Sequence, residues 1–114
     1  MMKEFIYLMM LLLISNGLHA EGYVEGRITY IQAGKGYTPN DIYILVQMDA
    51  PVTGQPSCAT EQRLALDPST EHGKVLYAAL LSAKQAQSTV EIYGANTCNI
   101  MGPRFEDIRY IRLK

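Results

Sequence analysis

Few of the 114 residues are of a type and spacing that could do chemistry. Asp67, Ser69 and His72 place a carboxylate, a hydroxyl and an imidazole in one short stretch, the parts of an activated-nucleophile system. All three fall at a helix start, where Asp and Ser ordinarily hold free backbone N–H groups. His72 is the only histidine beyond residue 20. A lone imidazole without Cys or carboxylate partners at ligand spacing does not make a zinc site. Glu106 and Asp107 are chain neighbours, so on a strand they point to opposite faces and cannot share a substrate. Gly34-Lys35-Gly36 has the look of a phosphate loop but lacks the rest of that pattern, and reads as a turn. No catalytic residue, metal or cofactor is expected, and the chain reads as a non-enzyme.

Two residue types remain. Cys58 and Cys98 are the only cysteines. Their expected pairing closes a loop of about forty residues, worth roughly 4 kcal/mol on a chain-entropy basis. Two buried free thiols or an intermolecular pair are the alternatives. Tyrosine is the other: the chain has eight tyrosines, of which only Tyr7 lies before residue 21, and no Trp. A tyrosine offers a flat apolar face and a hydroxyl, suited to stacking on a sugar or packing in an interface. It is also a favoured strand residue. Tyr37, in a long turn, and Tyr43 and Tyr93, on outward strand faces, are the candidate ligand-binding residues.

The elements that must position these residues begin after a leader. Lys3 precedes the uncharged run Phe5–Ile14, and Leu18-His19-Ala20 ends in a small residue. This is the pattern of a secretory signal peptide cut after Ala20. The apolar run is about half what a bilayer-spanning helix needs; an uncleaved anchor or a buried helix is the alternative. Cleavage removes Lys3 and Glu4 and leaves the formal net charge at −1. That balance disfavours nucleic acid and anionic membranes as partners. Export to an oxidising compartment, secreted or periplasmic, suits the cysteine pair.

Residues 21–114 read as one domain. Tyr23–Ala33 alternates as a first strand, with Val24, Ile28 and Tyr30 on one face and Gly26 a candidate bend. Ile42–Met48 is a second, with Ile42, Ile44, Val46 and Met48 inward and Tyr43, Leu45 and Gln47 opposite. Residues 49–58 form a loop ending at Cys58. Arg63–Asp67 is a short third strand. Asp67-Pro68 predicts a helix start, with Asp67 as cap and Pro68 in the first turn. Leu76, Ala79, Leu80 and Ala83 give that helix an apolar face to about Gln87. Thr89–Tyr93 and Phe105–Leu113 are the fourth and fifth strands. Arg109 is expected on the Ile111 face and Arg112 on the Ile108/Tyr110 face, in a basic edge strand of the kind that discourages aggregation.

Three strands, a helix and two strands make an α+β, mainly β domain. That order belongs to the five-stranded Greek-key OB-like barrel, with its helix between strands three and four. A small α+β sandwich would show the same order.

Two segments carry a family resemblance: Leu76-Tyr77 through Thr89-Val90-Glu91-Ile92-Tyr93, and Asn96-Thr97-Cys98. Together they resemble the B subunits of subtilase-type AB5 toxins, and small exported OB-fold-like bacterial proteins of unknown function. The toxin resemblance implies a disulfide-bonded, ring-forming pentamer that binds cell-surface glycans. The chain is shorter than those subunits and has no match to their Ser-rich early loop, so no glycan-site residue carries over. The expected function is an exported binding module for a glycan or a protein. The alternative is a periplasmic enzyme inhibitor or accessory protein acting through a loop such as 49–58.

Overall fold

The alternation beginning at Tyr23 builds two strands rather than one. In the computed structural model, which describes residues 21–36 and 41–114, β1 spans Tyr23–Gly26 and β2 spans Ile28–Lys35. The expected leader, residues 1–20, and the candidate Tyr37 lie outside the described residues. Arg27 separates the strands because both its backbone groups leave the ladder. Its N–H donates to Asp49 Oδ1 at 2.8 Å, and its carbonyl accepts the Asp49 N–H at 3.0 Å. Gly26 lies against the Asp49 carboxylate, which a Cβ would overlap. The bend expected at Gly26 therefore falls one residue later.

The remaining elements are β3 (Ile42–Met48), β4 (Leu64–Leu66), the helix α1 (Glu71–Ala86), β5 (Val90–Gly94) and β6 (Glu106–Leu113). They give one six-stranded sheet, ordered β1-β5-β6-β4-β3-β2, in place of the five strands expected. β4 and β6 run parallel and the other neighbours antiparallel. The outermost strands β1 and β2 do not pair with each other, so the sheet is not closed into a barrel. β6, expected at an edge, instead lies between β5 and β4.

Two register shifts reassign faces. The β2/β3 pairing slips between Ile28 and Tyr30, and one extra residue in a ladder reverses which side chains face inward. Ile28 is buried and Ile31 packs on the core, while Tyr30 is 41% exposed. The shared face expected for Val24, Ile28 and Tyr30 is lost at this point. The β5/β6 pairing slips between Tyr93 and Gly94. Ile108 is consequently buried and Tyr110 39% exposed, so they do not share the face predicted for them. In β3, Ile44, Val46 and Met48 are buried as expected, but Ile42, paired only at the strand end with Lys35, is exposed.

The helix begins later than Asp67-Pro68 predicts. Asp67 Oδ1 accepts from the Ser69 N–H at 2.9 Å and from its hydroxyl at 2.6 Å, closing a turn before the helix. Thr70 is the N-cap, its hydroxyl accepting from the Gly73 N–H at 2.9 Å. A threonine three residues ahead of a free N–H does the work expected of Asp67. Gln87, with φ 57°, ends the helix in the left-handed region, and its N–H bonds the carbonyls of Ala83 and Lys84.

One core cluster takes buried residues from every strand and from the helix, including Val24, Ile44, Leu66, Leu80, Ile92 and Ile108. Residues from both edge strands meet in it, so the sheet curls around its own inner face, with α1 against that core. Each fully buried aliphatic side chain there contributes about 2 kcal/mol. A second cluster of Leu45, Ala65 and Phe105 lies on the other face of β3 and β4, with Tyr43, Ile100 and Met101 packed against it. Leu45, read as outward, is therefore buried, because the chain between β5 and β6 covers it.

Candidate functional site

A cleft of about 660 Å³ opens beside that second cluster, lined by Lys35, Gly36, Asp41, Tyr43, Ile100, Met101 and Gly102. One wall is the end of the β2–β3 hairpin, closed by the Gly36 N–H donating to the Asp41 carbonyl at 2.6 Å. Gly34-Lys35 belongs to β2 rather than to the turn expected there. Tyr43 stands opposite Gly34 in the ladder. A Cβ at Gly34 would come 2.5 Å from the Tyr43 hydroxyl, so the ring lies across bare backbone. Gly34 is what lets Tyr43 lean toward the cleft.

The other wall, Ile100–Gly102, is held from behind by Asp107. Asp107 Oδ2 accepts from the Thr97 hydroxyl at 2.6 Å and the Asn99 N–H at 2.9 Å, and Oδ1 accepts from the Ile100 N–H at 3.0 Å. The Cys58–Cys98 disulfide, with a sequence separation of 40, ties the same segment to the loop before β4. Gly102, at φ 79°, turns the chain in a conformation that other residues rarely adopt. Arg63 lies 5.1 Å above the Phe105 ring at the foot of this region. The cleft thus sets a tyrosine ring and two apolar side chains beside an ammonium and a carboxylate.

Tyr93 does not line this cleft. It sits on the outward face of β5, opposite Tyr23 of β1 and Tyr110 of β6. Its ring is 5.0 Å from Tyr23 and stacks on Tyr110 at 4.3 Å and 16°. Glu91, nearly buried, accepts from the Tyr93 hydroxyl at 2.7 Å and the Tyr23 hydroxyl at 3.2 Å, and pairs with Lys114 at 3.3 Å. The bond to Glu91 pushes Tyr93 up to about 12, and the same bond is the largest cause holding Glu91 below its ordinary value. Desolvation first, then the Glu91 charge, raises Tyr23. Lys114, bonded to Glu25 and Glu91, is raised as well. Two of the three hydroxyls in this row are therefore already engaged.

No family model, curated protein or solved structure matches the chain. The geometry alone describes the site.

Of Asp67, Ser69 and His72, the first two bond each other and His72 bonds elsewhere. Ser69 bonds Asp67, which holds that carboxyl below its usual range, while His72 Nε2 lies 2.7 Å from the Arg109 carbonyl. Glu106 and Asp107 do point apart, yet both are buried, with 0% and 6% of their surface exposed. Among the described residues, no group of His, Cys, Asp and Glu is placed to hold a metal ion, and no helix is long and apolar enough to cross a membrane. Of the tyrosines singled out in the sequence, Tyr43 lines the cleft, while Lys35, Asp41, Ile100, Met101 and the anchoring Asp107 were not expected there. The polar run Ala95–Asn99 signals a loop, but nothing in it names the carboxylate that collects its N–H groups.

Proposed function

We propose that the chain is an exported, non-enzymatic binding module that takes a carbohydrate in the Tyr43 cleft. The observation carrying this reading is the lining: an aromatic ring and two apolar side chains next to Lys35 and Asp41. A sugar presents an apolar ring face edged with hydroxyls, and such a surface suits stacking on tyrosine plus bonds to charged groups. The volume falls in the range of small-ligand sites. The wall at Ile100 is fixed before any ligand arrives, which lowers the ordering cost of binding.

In this reading the sheet, open between β1 and β2, follows the strand arrangement of an OB-like fold. Only Arg27 separates β1 from β2, so they serve as two halves of one bent first strand at the two margins of the sheet. The parallel β4/β6 pair and the helix between β4 and β5 support it. OB-folds bind oligosaccharides on the second and third strands and the loops after strands one and four, and the cleft draws its lining from the second strand, here β3, and from both loops. Assembly as a ring belongs to the same proposal.

The test is a glycan array probed with residues 21–114, alongside a Tyr43→Ala variant shown to be folded by circular dichroism. Binding that falls at least tenfold in the variant supports the reading. Absence of glycan binding, or binding indifferent to Tyr43→Ala, overturns it. Light scattering decides the ring: a pentamer supports it and a monomer removes it.

A second reading has its own observation. The 49–58 loop is held by the Val52 N–H bond to Gln62 at 2.6 Å, by the Tyr23–Thr53 bridge and by Cys58, and presents Pro51, Thr53 and Gly54 to solvent. A rigid exposed loop suits an inhibitor of a periplasmic enzyme. A monomer that co-purifies with a hydrolase, and loses it on Thr53→Arg, would establish this alternative.

A further inference from the structure

Glu106 is the most deeply buried charged residue described, with 0% of its surface exposed. Its Oε2 accepts from the Gly22 N–H at 2.9 Å and the Asn96 N–H at 3.0 Å, but its Oε1 has no partner among the described residues. Gly22 and Gly94 flank the carboxyl, and a Cβ on either would overlap it. The chain has cleared two side chains to seat this group. The titratable neighbours only worsen its position: Asp107 on β6 and Glu21 beside β1 are both acidic. Arg109, the nearby cation, is taken up by Glu21 at 2.9 Å. Burial, with these two carboxylates, raises the Glu106 pKa against the two N–H bonds. A buried carboxylate without a counter-charge is costly.

The donor to Glu106, Gly22, is the second residue of the chain left by a cut after Ala20. Successive backbone nitrogens lie at most about 3.7 Å apart. The Glu21 nitrogen is therefore within about 6.6 Å of Oε2, close to the range over which an opposite charge governs ionisation. Before the cut that nitrogen is a neutral amide. Hydrolysis adds water across the Ala20–Glu21 bond, leaving a carboxylate on Ala20 and an ammonium on Glu21.

We propose that Glu106 is the binding site for the chain's own new α-ammonium, so that removal of the leader supplies the missing counter-charge and locks β1 onto β5 and β6. The inference rests on cleavage after Ala20. Among the described residues no cation pairs with Glu106 before the cut, and the processing step itself delivers one to the mature protein.

Residues 21–114 contain every described strand, the described helix, the disulfide and both core clusters, so the test uses that chain. It is compared with the same chain carrying Ala20, which turns the Glu21 nitrogen back into an amide. At pH 6.5 the extra alanine should lower Tm by about 5 °C, and the difference should vanish in the Glu106→Gln background. An equal shift in both backgrounds, or none in the native one, overturns the proposal. Nitrogen-15 NMR titration of the unmodified chain gives a second reading that does not depend on the folding of Glu106→Gln. The α-amino pKa should stand at least one unit above its ordinary 7.7–8.0, and an ordinary value overturns the pairing. The mass of the exported protein separates the two premises: a terminus other than Glu21 overturns the maturation step, while the titration of 21–114 still decides whether Glu106 accepts an ammonium.

Discussion

The Tyr93 hydroxyl donates to Glu91 Oε2 at 2.7 Å, linking two residues on the same face of one strand. Lys114 reaches the same carboxylate from the end of β6, and Tyr23 from β1. Three strands are thereby joined on the outer face through one acidic group.

That arrangement sets an alkaline limit on stability. Tyr93 is raised from 10.0 to about 12 in the folded protein. The unfolded chain ionises first, so the stabilisation is complete below pH 10 and is lost as pH climbs toward 12. Ultraviolet titration should show one tyrosine ionising near 12 in the native protein and at lower pH in Glu91→Gln. A Glu91→Gln protein with an unchanged titration curve would refute the assignment.

Asp107→Asn should destabilise the protein by about 2–3 kcal/mol, since an amide cannot accept at both oxygens and a bond to a charged acceptor is worth about that much. The loss is local to the cleft wall. Hydrogen exchange should accelerate at Asn99 and Ile100, whose N–H groups Asp107 accepts, while the amides of β3 stay protected.

Gly73→Ala should destabilise although alanine is the better helix former. The gain of about 1 kcal/mol in propensity is outweighed, because a Cβ at Gly73 would overlap the Asp67 carbonyl in the turn before the helix. Ala78→Gly, at an exposed position of the same helix, should cost about 1 kcal/mol. Thermal melts of the two variants separate the effects: a Gly73→Ala protein more stable than the parent would refute the crowding.

Replacing both Cys58 and Cys98 with serine should remove about 4 kcal/mol, a fall in Tm of about 20 °C. The segment carrying Ile100 and Met101 should loosen first. If reduced and oxidised proteins melt together, the bridge contributes nothing to stability.

The helix, the strand positions and the cysteine pair were legible in the sequence because local signals mark them: the spacing of Leu76, Leu80 and Ala83, the alternation from Ile42 to Met48, and a cysteine count of two. What escaped was set by residues distant in the chain. Arg27 leaves the ladder because of Asp49, and Tyr30 and Tyr110 face outward because of slips against β3 and β5. None of those partners is a neighbour in sequence. The burial of Glu106 and Asp107 was invisible for the same reason, as their compensating N–H groups come from Gly22, Asn96, Asn99 and Ile100. At the cleft, Tyr43 announced itself by type, whereas Ile100 and Met101 read as ordinary loop residues.

The parallel pairing of Leu64 with Glu106 and Ala65 with Asp107 has a consequence for biogenesis. Among the described strands it is the only ladder between the β2-β3-β4 half of the sheet and the β1-β5-β6 half. β6 comes last of the described strands, so the β2-β3-β4 hairpins can form before the ladder that unites the two halves. Contacts so distant along the chain also form slowly. The two halves of the sheet consequently remain separable until β6 is in place.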